Sequence, residues 1–230
     1  MSLVPPFESR LSLDELPIQD LAATGRLYLL SAPGRVLEGW PRDGQASRDL
    51  LWLKTSHGIQ GLVSLLEDLE IDQLDGISLG LEASGVECTR LPVRDGLIPL
   101  DTIPYGCAVI WTAGQVSSGR VVGIHCREGL GRTGTFAAAV LQVLGVTAHE
   151  SIKRVRAART GTISNELQEA FVLQMPLVLE EAMTPTKEEE TKMPGPKPII
   201  EMTEFELRQE LSLARILIAD LTKRMNETIR

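Results

Sequence analysis

The sequence contains no uninterrupted apolar run long enough to span a bilayer, no C-x-x-C pair, no basic excess and no internal repeat. The first absence argues against a transmembrane protein. The N-terminus, MSLVPP, lacks a basic segment followed by a hydrophobic stretch, so no signal peptide is expected. The three cysteines, Cys88, Cys107 and Cys126, are too few and too widely spaced for a disulfide framework, and with only three histidines no metal-ligand set is expected either. A reducing, cytoplasmic setting follows. The balance of 23 basic against 31 acidic residues gives a formal charge of −8, which argues against a general binder of nucleic acid or anionic membrane. It leaves room for a small positive pocket. What is present is 43% hydrophobic residues in 230, enough for one sizeable core with an appendage.

Strand-like and helix-like segments alternate along most of the chain. Residues 26–30 read as a strand closed by the turn Ser31-Ala-Pro-Gly34, residues 36–49 as a surface loop, and 50–55 as a short helix stopped at His57-Gly58. Residues 59–66, 86–93 and 121–124 read as further strands. Pro99 suits the first turn of a helix running to about Val116. Helices are expected over 132–144, from the Thr147-x-x-Glu150 capping box to about Arg159, and from a cap at Ser164 to about Ala182. This alternation predicts an α/β fold, a central, mostly parallel sheet flanked by helices. The division expected is an N-terminal extension over 1–24, a catalytic domain over 25–182, a flexible linker over 183–199 and an amphipathic C-terminal helix over 200–230. The linker TPTKEEETKMPGPKP holds charge, Pro and Gly. Beyond it, Leu207, Leu211, Ala214, Ile218, Leu221 and Met225 form a heptad seam after a capping box of Thr203 and Glu206. Such a face must be buried, on the same chain, in a homodimer or on a protein partner.

The segment VVGIHCREGLGRTG, residues 121–134, carries the chemistry. A β-branched strand ends at His125, a turn with two glycines follows, and a helix starts. Backbone N–H groups at such a strand-to-helix turn form an anion-binding concavity reinforced by the helix dipole. The phosphate-binding stretch is Arg127, Glu128, Gly129, Leu130, Gly131 and Arg132, in which Gly129 and Gly131 let the backbone approach an oxyanion. Cys126 sits at the base, where amides, helix terminus and Arg132 favour a thiolate, with a pKa expected below the free value of ~8.5. Arg132 grips two phosphate oxygens through its planar fork. A thiolate beneath a phosphoryl group implies a phosphocysteine intermediate, with no metal and no cofactor. A lone cysteine at a strand end is ordinarily a small buried hydrophobe. H-C-x5-R-T between a strand and a helix has few structural reasons to exist.

HCREGLGRTGT resembles the signature loop of the protein tyrosine phosphatase superfamily, in its small dual-specificity branch. The pieces LSAPG (30–34), GIQ (58–60) and PVRDG (92–96) are most similar to the kinase-associated phosphatase type, and the resemblance covers about residues 25–179. It implies roles by position. Asp95 matches the general acid, although Asp-Gly alone would read as a turn. Asp101 is its rival, at a place where a helix's first turn welcomes a carboxylate anyway. Thr133 matches the hydroxyl that stabilises the departing thiolate, and His125 the residue that orients the cysteine. Gln168 falls where some relatives position water, though an exposed Gln on an amphipathic helix would be ordinary. Two departures stand out. Glu128 must point away from a pocket built for a dianion, and Leu130 replaces the Lys common in phosphoinositide phosphatases of the superfamily. The resemblance therefore implies a phosphorylated protein substrate, with phosphotyrosine foremost and phosphoserine or phosphothreonine as further candidates. The alternatives are a small-molecule, nucleotide or lipid phosphate, and a phosphate-dependent binding or kinase-docking module.

Overall fold

The computed structural model describes residues 11–35, 44–74 and 76–183. Five strands form one sheet in the order β1-β2-β5-β3-β4: β1 (Leu13–Leu16), β2 (Arg26–Leu30), β3 (Gly61–Ser64), β4 (Glu87–Arg90) and β5 (Val121–His125). All neighbours run parallel except the edge pair β1 and β2. The expected mostly parallel sheet flanked by helices is therefore what the chain forms. Its first strand lies inside the stretch read as an N-terminal extension, because Leu13 to Leu16 pair residue for residue with Leu30 to Leu27.

Both faces of the sheet are covered, so β2 is apolar at nearly every position rather than at alternate ones. Leu27 and Leu29 face one core with Val63, Val122 and Ile124, under α4 (Thr102–Ser117), α5 (Gly131–Val143), α6 (Ala148–Ala158) and α7 (Glu166–Met183). Tyr28 and Leu30 face the other with Leu62, under α1 (Gln45–His57) and α3 (Ile77–Ser84).

Helix α1 starts at Gln45 and so takes the last five residues of the expected surface loop. Ala46, Leu50 and Leu53, at helical spacing, bury its inner face, and each leucine contributes roughly 1.5–3 kcal/mol. The polar composition around them concealed that stripe. Residues 67–84, to which the sequence assigned no element, hold α2 (Asp68–Ile71) and α3. Helix α4 begins three residues after Pro99, since the side chain of Asp101 caps it by accepting from the Ile103 amide at 3.1 Å. At α7 the capping oxygen belongs to Asn165, which accepts from the Gln168 amide at 2.9 Å, and not to Ser164. Apart from Met183, which ends α7, the expected linker and the C-terminal helix lie outside the described residues, as do the first ten residues of the expected N-terminal extension.

Candidate active site

The central strand β5 delivers His125 to the carboxyl end of the sheet, in register with Leu30 of β2 and Ser64 of β3. In an open parallel sheet that end is where ligands bind. The loop between β5 and α5 is held from outside by its carbonyls. That of His125 accepts from the Leu65 amide at 2.9 Å, that of Arg127 from the Ala32 amide at 3.0 Å, and that of Glu128 from Arg159 at 2.8 Å. The amide across each peptide plane points the opposite way, so the N–H groups of Cys126, Glu128 and Gly129 are turned inward. Gly129 takes φ +73°, and an added Cβ would lie 2.2 Å from the Leu30 carbonyl oxygen. A Cβ on Gly131 would come within 2.5 Å of Ser164 Oγ and 2.9 Å of Gln168 Oε1. Backbone in the way demands glycine at 129, whereas at 131 the crowding comes from two side-chain ends.

Cys126 is buried at the start of this loop. The His125 ring stands 3.2 Å from the Cys126 carbonyl through Nδ1, which must donate there, leaving Nε2 the lone-pair nitrogen. Burial lowers the His125 pKa to about 4, against the smaller raising effect of that hydrogen bond, so the ring is neutral near neutral pH.

Arg132 extends from the first turn of α5 and is 2% exposed. Its Nη1 donates to Glu70 Oε2 at 2.6 Å and to the Val93 carbonyl at 2.8 Å, with the Leu65 carbonyl at 3.3 Å. Its Nη2 reaches Glu70 Oε1 at 2.8 Å and Asp95 Oδ1 at 3.0 Å. Burial alone would lower the Arg132 pKa. The hydrogen bonds to Glu70 and the charges of Cys126, Glu70 and Asp95 outweigh it and raise the pKa further. The buried Nε of Arg132 and Oγ1 of Thr133 have no hydrogen-bond partner among the described residues. Two donors left over at one loop are what an incoming anion would use.

Asp95 sits on an exposed turn whose Gly96 carbonyl accepts from Asn165 Nδ2 at 2.9 Å. Gln168 is fully buried, contrary to the ordinary exposed position that its helix allowed. Its Oε1 accepts from Ser164, and its Nε2 lies 3.4 Å from the Leu97 carbonyl. The turn before α7 contains buried Ile163 at φ +53°, a conformation that costs a β-branched residue ~1–3 kcal/mol. Arg156 fixes this turn through the Thr162 and Ile163 carbonyls.

Cys126, His125, Arg132, Thr133, Asp95 and Gln168 thus converge on one loop. The side chains of Arg127 and Glu128 are exposed, and Glu128 pairs with Arg35 at 2.5 Å. Leu130 is half-buried at the head of α5. Asp101 is occupied in capping. Two residues the sequence did not single out also reach the loop's structure, Glu70 and Arg159. Arg159 additionally pairs with Asp14 at 2.7 Å. Among the described residues no cluster of three or more His, Cys, Asp or Glu could hold a metal ion, and no helix is long and apolar enough to cross a membrane.

A family model described as "Polymorphic toxin system, DSP-PTPase phosphatase" matches residues 38–146, which include both the Asp95 turn and the Cys126 loop. Among solved structures, a kinase associated phosphatase matches with a TM-score of 0.64 at 20% identity, over 76% of this chain and 98% of that one. Tk-PTP in its active form matches at 0.51 and 26%, over 73% and 97%, and PTPMT1 in complex with PI(5)P at 0.52 and 18%, over 70% and 97%. The chain therefore has the protein tyrosine phosphatase fold, and these matches support a cysteine-dependent phosphatase. At 20% identity the first neighbour shows the fold and no special closeness to the kinase-associated type.

Proposed function

We propose that the protein hydrolyses phosphate monoesters on proteins, phosphotyrosine foremost, through a phosphocysteine intermediate at Cys126. The observation that carries this is the free, buried Arg132 Nε on the loop that begins at Cys126, with Asp95 on the adjacent Nη2. A phosphate dianion would take Nε and Nη2 together with the inward amides of the loop. In doing so it displaces the Asp95 carboxyl toward the ester oxygen. The Cys126 thiolate attacks phosphorus, the P–O bond breaks, and protonated Asp95 gives its proton to the leaving oxygen. Water, held by Gln168, then attacks the phosphocysteine. Asp95 takes the water proton, the P–S bond breaks, and the Thr133 hydroxyl donates to the departing thiolate. Neutral His125 fixes the Cys126 carbonyl throughout.

A protein substrate is favoured over a phosphoinositide because Arg127 is the loop's cation besides Arg132, and Leu130 supplies none. Turnover of a phosphopeptide panel beside phosphoinositides and mononucleotides tests the class, and preference for either of the latter two refutes it. Hydrolysis of an aryl phosphate should proceed in excess chelator and vanish in Cys126→Ser. A requirement for divalent metal, or more than trace activity in that variant, refutes the mechanism. Asp95→Ala should lower kcat by about 10²–10⁴-fold for phosphotyrosine, with a smaller loss for nitrophenyl phosphate, whose leaving group needs no proton.

A further inference from the structure

The segment that carries Asp95 runs on through Leu97, Ile98, Pro99 and Leu100 to the cap of α4 at Asp101. Val93 and Pro99 are buried and Ile98 packs against the main core, whereas Leu97 is 38% exposed and Leu100 is 99% exposed. The backbone holds them there. The Leu97 amide donates to the Arg94 carbonyl at 3.0 Å, the Gly96 carbonyl accepts from Asn165, and the Leu97 carbonyl faces Gln168 Nε2 at 3.4 Å. A third leucine joins this edge. Leu167, 46% exposed, lies in the first turn of α7. At about 100° per residue, the two neighbours of buried Gln168 project to opposite sides of the helix. Glu169 faces α6, where it pairs with Arg156 at 2.7 Å, so Leu167 faces the other flank, toward α4. Phe171, one turn along on the same side as Leu167, meets Tyr105 in the first turn of α4 edge-on, with ring centroids 5.6 Å apart. Helices α4 and α7 therefore start side by side, with Leu100 and Leu167 at their heads.

Single exposed leucines are ordinary on a protein surface. These three share one edge of the site: Leu97 lies in the turn of Asp95, Leu167 precedes Gln168, and Leu100 stands between that turn and α4. We propose that Leu97, Leu100 and Leu167 form a specificity seat, which receives an apolar side chain of the substrate protein next to its phosphorylated residue. The inference deepens the reading of the site as a protein phosphatase and rests on it. Continuity with the phosphate pocket supports this occupant. A substrate whose ester oxygen meets Asp95 lies against that turn, and its neighbouring side chains fall on the rim. Charge narrows the choice. Residues 94–101 and 165–167 carry Asp95, Asp101 and Glu166 against Arg94, so a carboxylate flanking the phosphorylated residue is repelled where a leucine is not. Arg127, whose charge is felt at Glu70, belongs to the α2 side. The same carboxylates, on a chain of formal charge −8, oppose docking of the rim on an anionic membrane.

The test uses phosphotyrosine peptides in which each flanking position in turn is Leu, Ser or Glu, with the full chain and its double variant Leu100→Ser, Leu167→Gln. In the parent, Leu at one or more of these positions should raise kcat/KM about tenfold over Ser, and Glu there should lower it. The double variant should lose that preference while keeping its turnover of nitrophenyl phosphate, which has no flanking residues. Leu100→Ser alone, at a side chain that packs on nothing, should lose part of it. A parent indifferent to Leu at every position would overturn the proposal, as would a preference that survives in the double variant. So would cosedimentation of the parent with phosphatidylcholine and phosphatidylserine vesicles that the double variant loses, because the rim would then serve a membrane. If the parent hydrolyses neither nitrophenyl phosphate nor any phosphopeptide, the phosphatase reading falls. Calorimetry of the same peptides on Cys126→Ser then decides the seat: a Leu preference removed by the two leucine substitutions keeps it, and equal affinities strike it out.

Discussion

At the scale of single residues the phosphate loop tolerates almost no added atoms. Gly129→Ala combines a left-handed φ with a Cβ 2.2 Å from the Leu30 carbonyl oxygen. It should cost at least about 2 kcal/mol, read as a lower urea midpoint, and should reduce activity further by moving the amides. His125 sets a pH limit. Its folded pKa, about 4, lies below the ordinary 6.5, so the unfolded chain binds more protons between those values. Its contribution is complete above pH ~6.5 and is lost as pH falls toward 4, on the order of 3 kcal/mol in all. Urea denaturation across that range should show the decline, and His125→Asn should flatten it. Cys126, Arg132 and both glycines could be grouped from the sequence because they lie within seven residues, bounded by a strand and a helix. Glu70 was not. It meets Arg132 across a separation of 62 residues, and no local pattern encodes such a pairing.

At the scale of elements, legibility followed apolar pattern. Strand β2 was readable to its ends because its central residues are buried on both faces. Helix α2 was invisible because it is four residues long and fully buries none of them. The start of α1 was hidden by Gln45, Ser47, Arg48 and Asp49, whose polarity suggested a loop. Function also depends on how elements brace one another. The Asp95 turn is tied to the start of α7 through Asn165, which both caps the helix and donates to the Gly96 carbonyl. Asn165→Ala should therefore cost ~1 kcal/mol of stability. It should also reduce kcat for phosphotyrosine by about tenfold, an effect resembling a partial loss of the acid. On nitrophenyl phosphate the variant should remain close to the parent; equal losses on both substrates would show that the tie serves the loop as a whole and not the acid.

At the scale of the whole molecule, every residue assigned a role in the proposed chemistry lies between Glu70 and Gln168. A chain ending at Met183 keeps every residue assigned a role in the proposed chemistry, so it should keep aryl phosphate turnover within about twofold. The apolar seam from Leu207 to Met225, a feature of the sequence, needs a surface to cover it. Sedimentation of the full chain beside the shortened one measures whether that surface is a second copy. A heavier full chain and a monomeric short one is the outcome expected for self-association; two monomers would send the seam to its own domain or to another protein.

The Asp14–Arg159–Glu128 link gives the molecule a sequence in time as well as in space. Asp14 leaves the ribosome early, and the arginine that joins it to the phosphate loop follows 145 residues later. Ribosomal synthesis proceeds at ≈ 5–20 residues per second, so several seconds separate the two. Until α6 has emerged and docked, the Glu128 carbonyl lacks its Arg159 donor, and the nascent chain holds the Cys126 thiol without a finished cradle. Competence for the proposed chemistry should therefore appear late and abruptly during synthesis, in nascent chains stalled far enough beyond Gln168 for that residue to clear the exit tunnel.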